Sequence, residues 1–208
     1  MLIGHIHDAL DQVCRLQEVI LSRRFFQGYS GKARILSGIA ALIGSWIMSR
    51  DHVPATNQAH LIGWLCVAGV ALVLNYGALL NWIITDPRVR QRPVILKPAL
   101  DALPALVVGG LLTLALIRNG QFDLLFGVWM CCFGVAHMAY RQSLPGENYF
   151  VGLFYVFCGA ACLLAPGIRF TSPWPMGLVF FAGELAGGTV LILMNDREKD
   201  LEQLEKQE

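Results

Sequence analysis

Glu184 stands at the middle of the apolar run Trp174 to Asn195, and no other ionisable residue lies between Pro175 and Met194. About 20 mainly apolar residues cross a hydrocarbon core roughly 30 Å thick, so this acid is expected deep in a bilayer. A charge at that depth costs about 2.5–3.5 kcal/mol on insertion scales, which turns such groups toward protein or a water-filled path and away from lipid. Two roles suit it. A carboxyl hydrogen-bonded to a neighbouring helix would hold a bundle in register, whereas one exchanging protons or cations would mark a transport path.

Three further polar residues inside apolar runs are candidates to line such a path: Asn75, Asp101 and His137. Asn75 matches Glu184 best in depth and is expected to hydrogen-bond it. At 1.5 Å of rise per residue, Asp101 and His137 each fall about 10 Å to the cytoplasmic side of midplane, where they are expected to pair, with Asn81 or Arg141 near. The plainer alternative is that each fills an interhelical gap and bonds to backbone.

Cys131, Cys132, Cys158 and Cys162 also approach midplane, and soft thiolates would suit Cu(I), Zn(II) or a mercury-like ion. Their spacing is not that of a zinc site and no histidine joins them, so small apolar filler is the favoured reading and no metal is expected. His60 and His137 fall near opposite membrane faces, so one haem cannot join them, and no cofactor is expected. The chain lacks G-x-x-x-x-G-K-[ST], H-E-x-x-H and G-x-S-x-G, and the only serines within the apolar runs are Ser37 and Ser45, with Ser49 closing the first run. The reading therefore leans away from an enzyme.

The elements that must position these groups follow from hydropathy. With 55% apolar residues and a mean hydropathy of +0.54 over 208 residues, the chain is expected to be an all-α polytopic membrane protein. Six spans are expected, at 33–49, 60–84, 98–118, 121–140, 148–165 and 175–194. The first is short, and Arg34 near its start is expected to snorkel to the interface. Pro98 and Pro104 should bend the start of the third. Most tryptophans lie toward run ends, as an interfacial belt would place them, with Trp129 the exception. Residues 1–32 read as an amphipathic cytoplasmic helix on the membrane surface, 33–194 as the transmembrane domain, and 195–208 as an acidic helical tail.

Of the 16 Lys and Arg, all but Arg50, Arg118 and Arg169 lie in the segments before span one, between two and three, between four and five, and after six. That bias predicts both termini in the cytoplasm of a cell with a plasma (inner) membrane. No cleavable signal peptide is expected, since the N-terminus is charged and amphipathic. A net charge of +1 without a compact basic patch argues against nucleic acid. Six cysteines, almost all within apolar runs, argue against a disulfide framework.

Glycine supplies the last signal. Gly177, Gly187 and Gly188 share the helical stripe of Glu184, and Gly183 with Gly187 makes a GxxxG pair, so this face is expected to pack closely on another helix. Gly38, Gly44, Gly63 and Gly69 recur 89 or 90 residues later as Gly127, Gly134, Gly152 and Gly159. Three spans per unit would make this a 3+3 inverted repeat, an architecture found in transporters. Two functions follow as expectations: a small transporter or channel with Glu184 as its proton- or cation-sensitive group, or a membrane scaffold or regulatory subunit assembling through glycine-rich faces. The expected partners are the lipid bilayer and a second copy or another membrane protein.

Overall fold

A computed structural model describes residues 30–85, 102–139 and 146–205, with side chains through residue 197. The expected surface helix within 1–32, apart from its last residues, lies outside the described residues, as do Asp101, Arg141 and Pro98. Among the described residues the fold is wholly helical: α1 Gly31–Met48, α2 Asn57–Thr85, α3 Leu103–Arg118, a short 3-10 turn Phe122–Leu124, α4 Leu125–Ala139, α5 Glu147–Leu164 and α6 Trp174–Glu205.

Four stretches are long and apolar enough to cross a bilayer: Asn57–Thr85, Phe122–Ala139, Glu147–Leu164 and Trp174–Arg197. The other two expected spans fall short of that standard for different reasons. α3 is apolar but has only 16 residues, or about 24 Å of helix. α1 has 18 residues but carries Lys32, Arg34, Ser37 and Ser45.

The helix ends have local causes. Ser30 caps α1, its hydroxyl accepting from the Ala33 amide at 3.3 Å, which satisfies one of the amides a helix start leaves without a partner. Pro104 sits in the first turn of α3, where a missing N–H leaves no intrahelical bond unmade. After α5 the chain turns at Gly167, whose φ of 91° favours glycine.

Packing follows two antiparallel pairs. α1 runs along α6 and α4 along α5, with α2 against α1, α3 against α4, and α5 joining α6. In the first pair, a Cβ added at Gly188 would meet the Gly31 carbonyl and Ile35; one at Gly38 would meet Glu184 and Phe181; one at Gly177 would meet Ser45. In the second, Gly127 faces Gly159 and Leu163, and Gly134 faces Gly152 and Val156. Hydrogen atoms at these positions let the backbones approach closely, which supplies dispersion contacts where no hydrophobic drive exists between helices in lipid.

The apolar core lies where α1, α2, α4 and α6 meet the loop before α6. Trp64, Phe126 and Phe170 are buried there, with Trp64 edge-on to Phe126 at 5.7 Å and Phe126 tilted on Phe170 at 4.9 Å. Trp64 is only 4% exposed, so it is a core residue and not part of an interfacial belt. Asp123 fixes the loop by accepting from the Phe170 amide at 2.7 Å. By contrast α2 turns most of its surface outward, and only His60 and Trp64 along it are buried.

Candidate functional site

Five side chains from four helices meet around one guanidinium. Arg34 of α1 is 2% exposed, and Glu184 of α6 is 4% exposed. The pair is bidentate: Arg34 Nε donates to Glu184 Oε2 at 2.9 Å and Nη2 to Oε1 at 3.2 Å. Nη1 donates to Asn148 Oδ1 of α5 at 2.9 Å, and Nη2 reaches His137 Nε2 of α4 at 2.8 Å. The Tyr155 hydroxyl of α5 donates to Glu184 Oε1 at 3.0 Å.

The imidazole's hydrogen bonds fix its tautomer. His137 Nδ1 lies 3.0 Å from the Phe133 carbonyl, which can only accept, so Nδ1 carries the proton and Nε2 offers its lone pair to Arg34. Nη2 therefore donates to two acceptors at once, a carboxylate and an imidazole. His137 Nε2 is 3.9 Å from Glu184 Oε1, and Phe133 and Tyr155 flank the ring at 4.5 and 5.6 Å between centroids. The charges cancel within the cluster, and most donors of the fork are used. This is the condition under which a buried ion pair is tolerated, since attraction then offsets the loss of hydration.

Glycines make room for the cluster. A Cβ at Gly187 would stand 2.5 Å from Arg34 Cζ and 2.7 Å from Nη1, one at Gly183 would enter the Tyr155 ring, and one at Gly38 would lie 3.0 Å from Glu184 Cβ. The guanidinium thus lies flat over the backbone of α6, one turn from the carboxylate it binds.

The structure brings Glu184 and His137 together and places Asn75 elsewhere. Asn75 does not reach Glu184; its Nδ2 donates to Ser37 Oγ at 2.8 Å and to the Ala71 carbonyl at 2.9 Å, linking α2 to α1 one turn beyond Arg34. His137 meets Arg34, while its expected partner Asp101 lies outside the described residues. Arg34 itself does not snorkel: the demand of a buried carboxylate outweighs the pull of the headgroup region. Arg34, Asn148 and Tyr155 were absent from the sequence-derived candidates. A signal for the first existed, because Arg34 and the end-placed Arg118 are the only Lys or Arg inside the six expected runs, and a buried acid needs a cation.

The cysteines divide. Neighbours on a helix point about 100° apart, so Cys131 faces Gly159 of α5 while Cys132 faces Gly109 of α3. Cys131 Sγ lies 3.8 Å from the Val156 carbonyl and Cys162 Sγ 4.0 Å from Met130 Sδ. Among the described residues no group of three or more His, Cys, Asp or Glu is placed to hold a metal ion. Two ring nitrogens are buried without a hydrogen-bond partner among those residues, His60 Nε2 and Trp64 Nε1, one turn apart on α2.

No family model matches this chain, and no curated protein and no solved structure is significantly similar to it. What the described residues define is a class, a helical protein with four stretches long and apolar enough to cross a membrane.

Proposed function

We propose that the chain is a multi-pass inner-membrane protein of six spans with cytoplasmic termini, acting as a small transporter or channel in which Glu184 is the proton- or cation-sensitive group. The observation that carries this reading is the sharing of Arg34 Nη2 between Glu184 Oε1 at 3.2 Å and His137 Nε2 at 2.8 Å. A proton placed on Nε2 would turn an acceptor into a donor facing an N–H, and the contact would break. A proton or metal cation placed on Glu184 would displace the guanidinium from its counter-charge. Either event releases the bidentate clasp between α1 and α6, so occupancy of the site is coupled to how those helices sit together. The inverted repeat suggested by glycine spacing belongs to the same reading, because repeat interfaces near midplane are where such sites occur.

A second reading is a scaffold or regulatory subunit that assembles with another copy or a partner membrane protein. The close approach of Gly187 to Arg34 and of Gly38 to Glu184 favours it, since a centre this tightly packed also serves as a fixed lock. Purified protein in liposomes containing a proton-sensitive dye separates the two. The transporter reading expects cation-dependent proton flux that Glu184→Gln abolishes. Absence of flux across monovalent and divalent cation gradients would leave the scaffold.

A further inference from the structure

The cluster is assembled from two sides. Arg34 stands on α1, whereas Glu184, His137, Asn148 and Tyr155 stand on α4, α5 and α6. Those three helices are also joined by rings: Phe133 of α4, Tyr155 of α5 and Phe180 of α6 lie at 5.1, 5.0 and 5.1 Å between centroids, pair by pair. Ring packing does not depend on the ion pair, so Glu184 keeps Tyr155 as a neighbour when the clasp to α1 opens.

The Tyr155 hydroxyl has one hydrogen and two acceptors within reach. Its Oη lies 3.0 Å from Glu184 Oε1 and 3.4 Å from the Phe180 carbonyl, and the residue is fully buried. Beside a carboxylate the hydrogen points at Oε1, the nearer and charged acceptor. Once Oε1 carries a proton it becomes a donor itself, so the phenolic hydrogen turns about its C–O bond to the Phe180 carbonyl, and an Oη lone pair accepts from the acid. No bond of the phenol breaks. The added proton comes from water, bonds to Oε1 and cancels the carboxylate charge.

A metal cation meets a poorer fit. It needs several lone pairs clear of donors and a space of its own, yet Glu184 is 4% exposed, an added Cβ at Gly38 would stand 3.0 Å from its Cβ, and among the described residues no group of three His, Cys, Asp or Glu gathers to hold a metal. A proton needs one lone pair and almost no volume. We propose that the ion this centre takes is the proton, and that Tyr155 is the positioning residue that keeps it on Oε1 of Glu184. The proposal rests on the reading of Glu184 as the proton- or cation-sensitive group and narrows it to one ion.

Infrared difference spectroscopy of the full chain in liposomes, titrated with acid, tests this. The wild type is expected to gain a protonated-carboxyl stretch that is missing from Arg34→Met/Glu184→Gln, a variant with no charge left stranded. Raising sodium, potassium or magnesium at constant pH is expected to leave that band unchanged. Tyr155→Phe keeps the ring and removes the hydroxyl; it should lift the midpoint of the band by about one pH unit, since a hydrogen bond to a charged acceptor is worth roughly tenfold more than one to a neutral group. The ionisable groups facing the centre, Arg34 of α1, His137 of α4 and Cys158 of α5, remain in that variant, so the change reports the hydroxyl. If Tyr155→Phe does not fold, the phenolic C–O stretch of the wild type decides, because it should move with the midpoint of the carboxyl band as the hydroxyl gains a donor. No carboxyl band before the protein unfolds, a band that falls as a metal cation is raised, an unmoved midpoint in Tyr155→Phe or an unmoved phenolic stretch overturns the proposal. Flux is a separate reading. These spectra without proton flux would keep the proton centre and remove the transporter, whereas sodium-driven flux with a silent carboxyl band would do the reverse.

Discussion

Removing the charge of Arg34 has a cost that can be worked out from its contacts. In Arg34→Met the polar contacts of the guanidinium at 2.9, 3.2, 2.9 and 2.8 Å disappear, and the Glu184 carboxylate keeps the Tyr155 hydroxyl. Breaking a buried ion pair by deleting one partner costs about 3–5 kcal/mol, since the remaining charge is stranded in a low dielectric. Glu184→Gln strands the guanidinium instead and should cost a similar amount. The double variant Arg34→Met/Glu184→Gln leaves no charge, so its loss should be no greater than that of either single variant. The coupling energy is then about 3 kcal/mol, at the upper end of values measured for residues in direct contact. Steric trapping in lipid bicelles gives the unfolding free energies. Single variants each within 1 kcal/mol of wild type, or a double variant equal to the sum of the singles, would refute the assignment of the cluster as a mutually dependent charge centre.

Three further outcomes read the packing by the same assay. Gly187→Ala places a methyl group 2.5 Å from Arg34 Cζ and should cost about 1–3 kcal/mol, as overpacking does. Gly110→Ala, where an added Cβ meets nothing within 4 Å, should be neutral or stabilising by up to about 1 kcal/mol through helix propensity. Trp129→Phe loses the indole bond to Thr113 Oγ1 at 2.8 Å and should cost about 0.6 kcal/mol, the mean for interhelical bonds in membranes. A loss above about 2 kcal/mol would mean that the ring's packing on Phe170 outweighs its polar tip.

Hydropathy placed the helices well where polar or proline-containing connections flank them. The run expected at 148–165 is Glu147–Leu164, and that expected at 60–84 lies within Asn57–Thr85. The run expected at 33–49 is α1, whose Arg34, Ser37 and Ser45 all turn toward other helices. Those polar side chains make the helix less apolar because they serve contacts that only the folded bundle contains. The candidate site divides in the same way. Glu184 is conspicuous as an isolated acid in an apolar run, but its counter-ion lies 150 residues away, and nothing in local spacing encodes that separation. Asn75 matched Glu184 in depth yet faces Ser37, because depth fixes height along the membrane normal and leaves rotation about the helix axis undetermined. Tyr155 and Asn148 look ordinary in an apolar helix; only the α4–α5 and α5–α6 packing turns them to the cluster.

The helix that carries Glu184 continues without a break to Glu205. Its 32 residues measure about 48 Å, well beyond the roughly 30 Å of hydrocarbon. From Glu184 to the far end is about 32 Å of rod, so a tilt of only 10° about the carboxylate would swing the acidic tip through about 5 Å. A displacement at the guanidinium smaller than an atom's width is thus magnified several-fold at the far end of this rod.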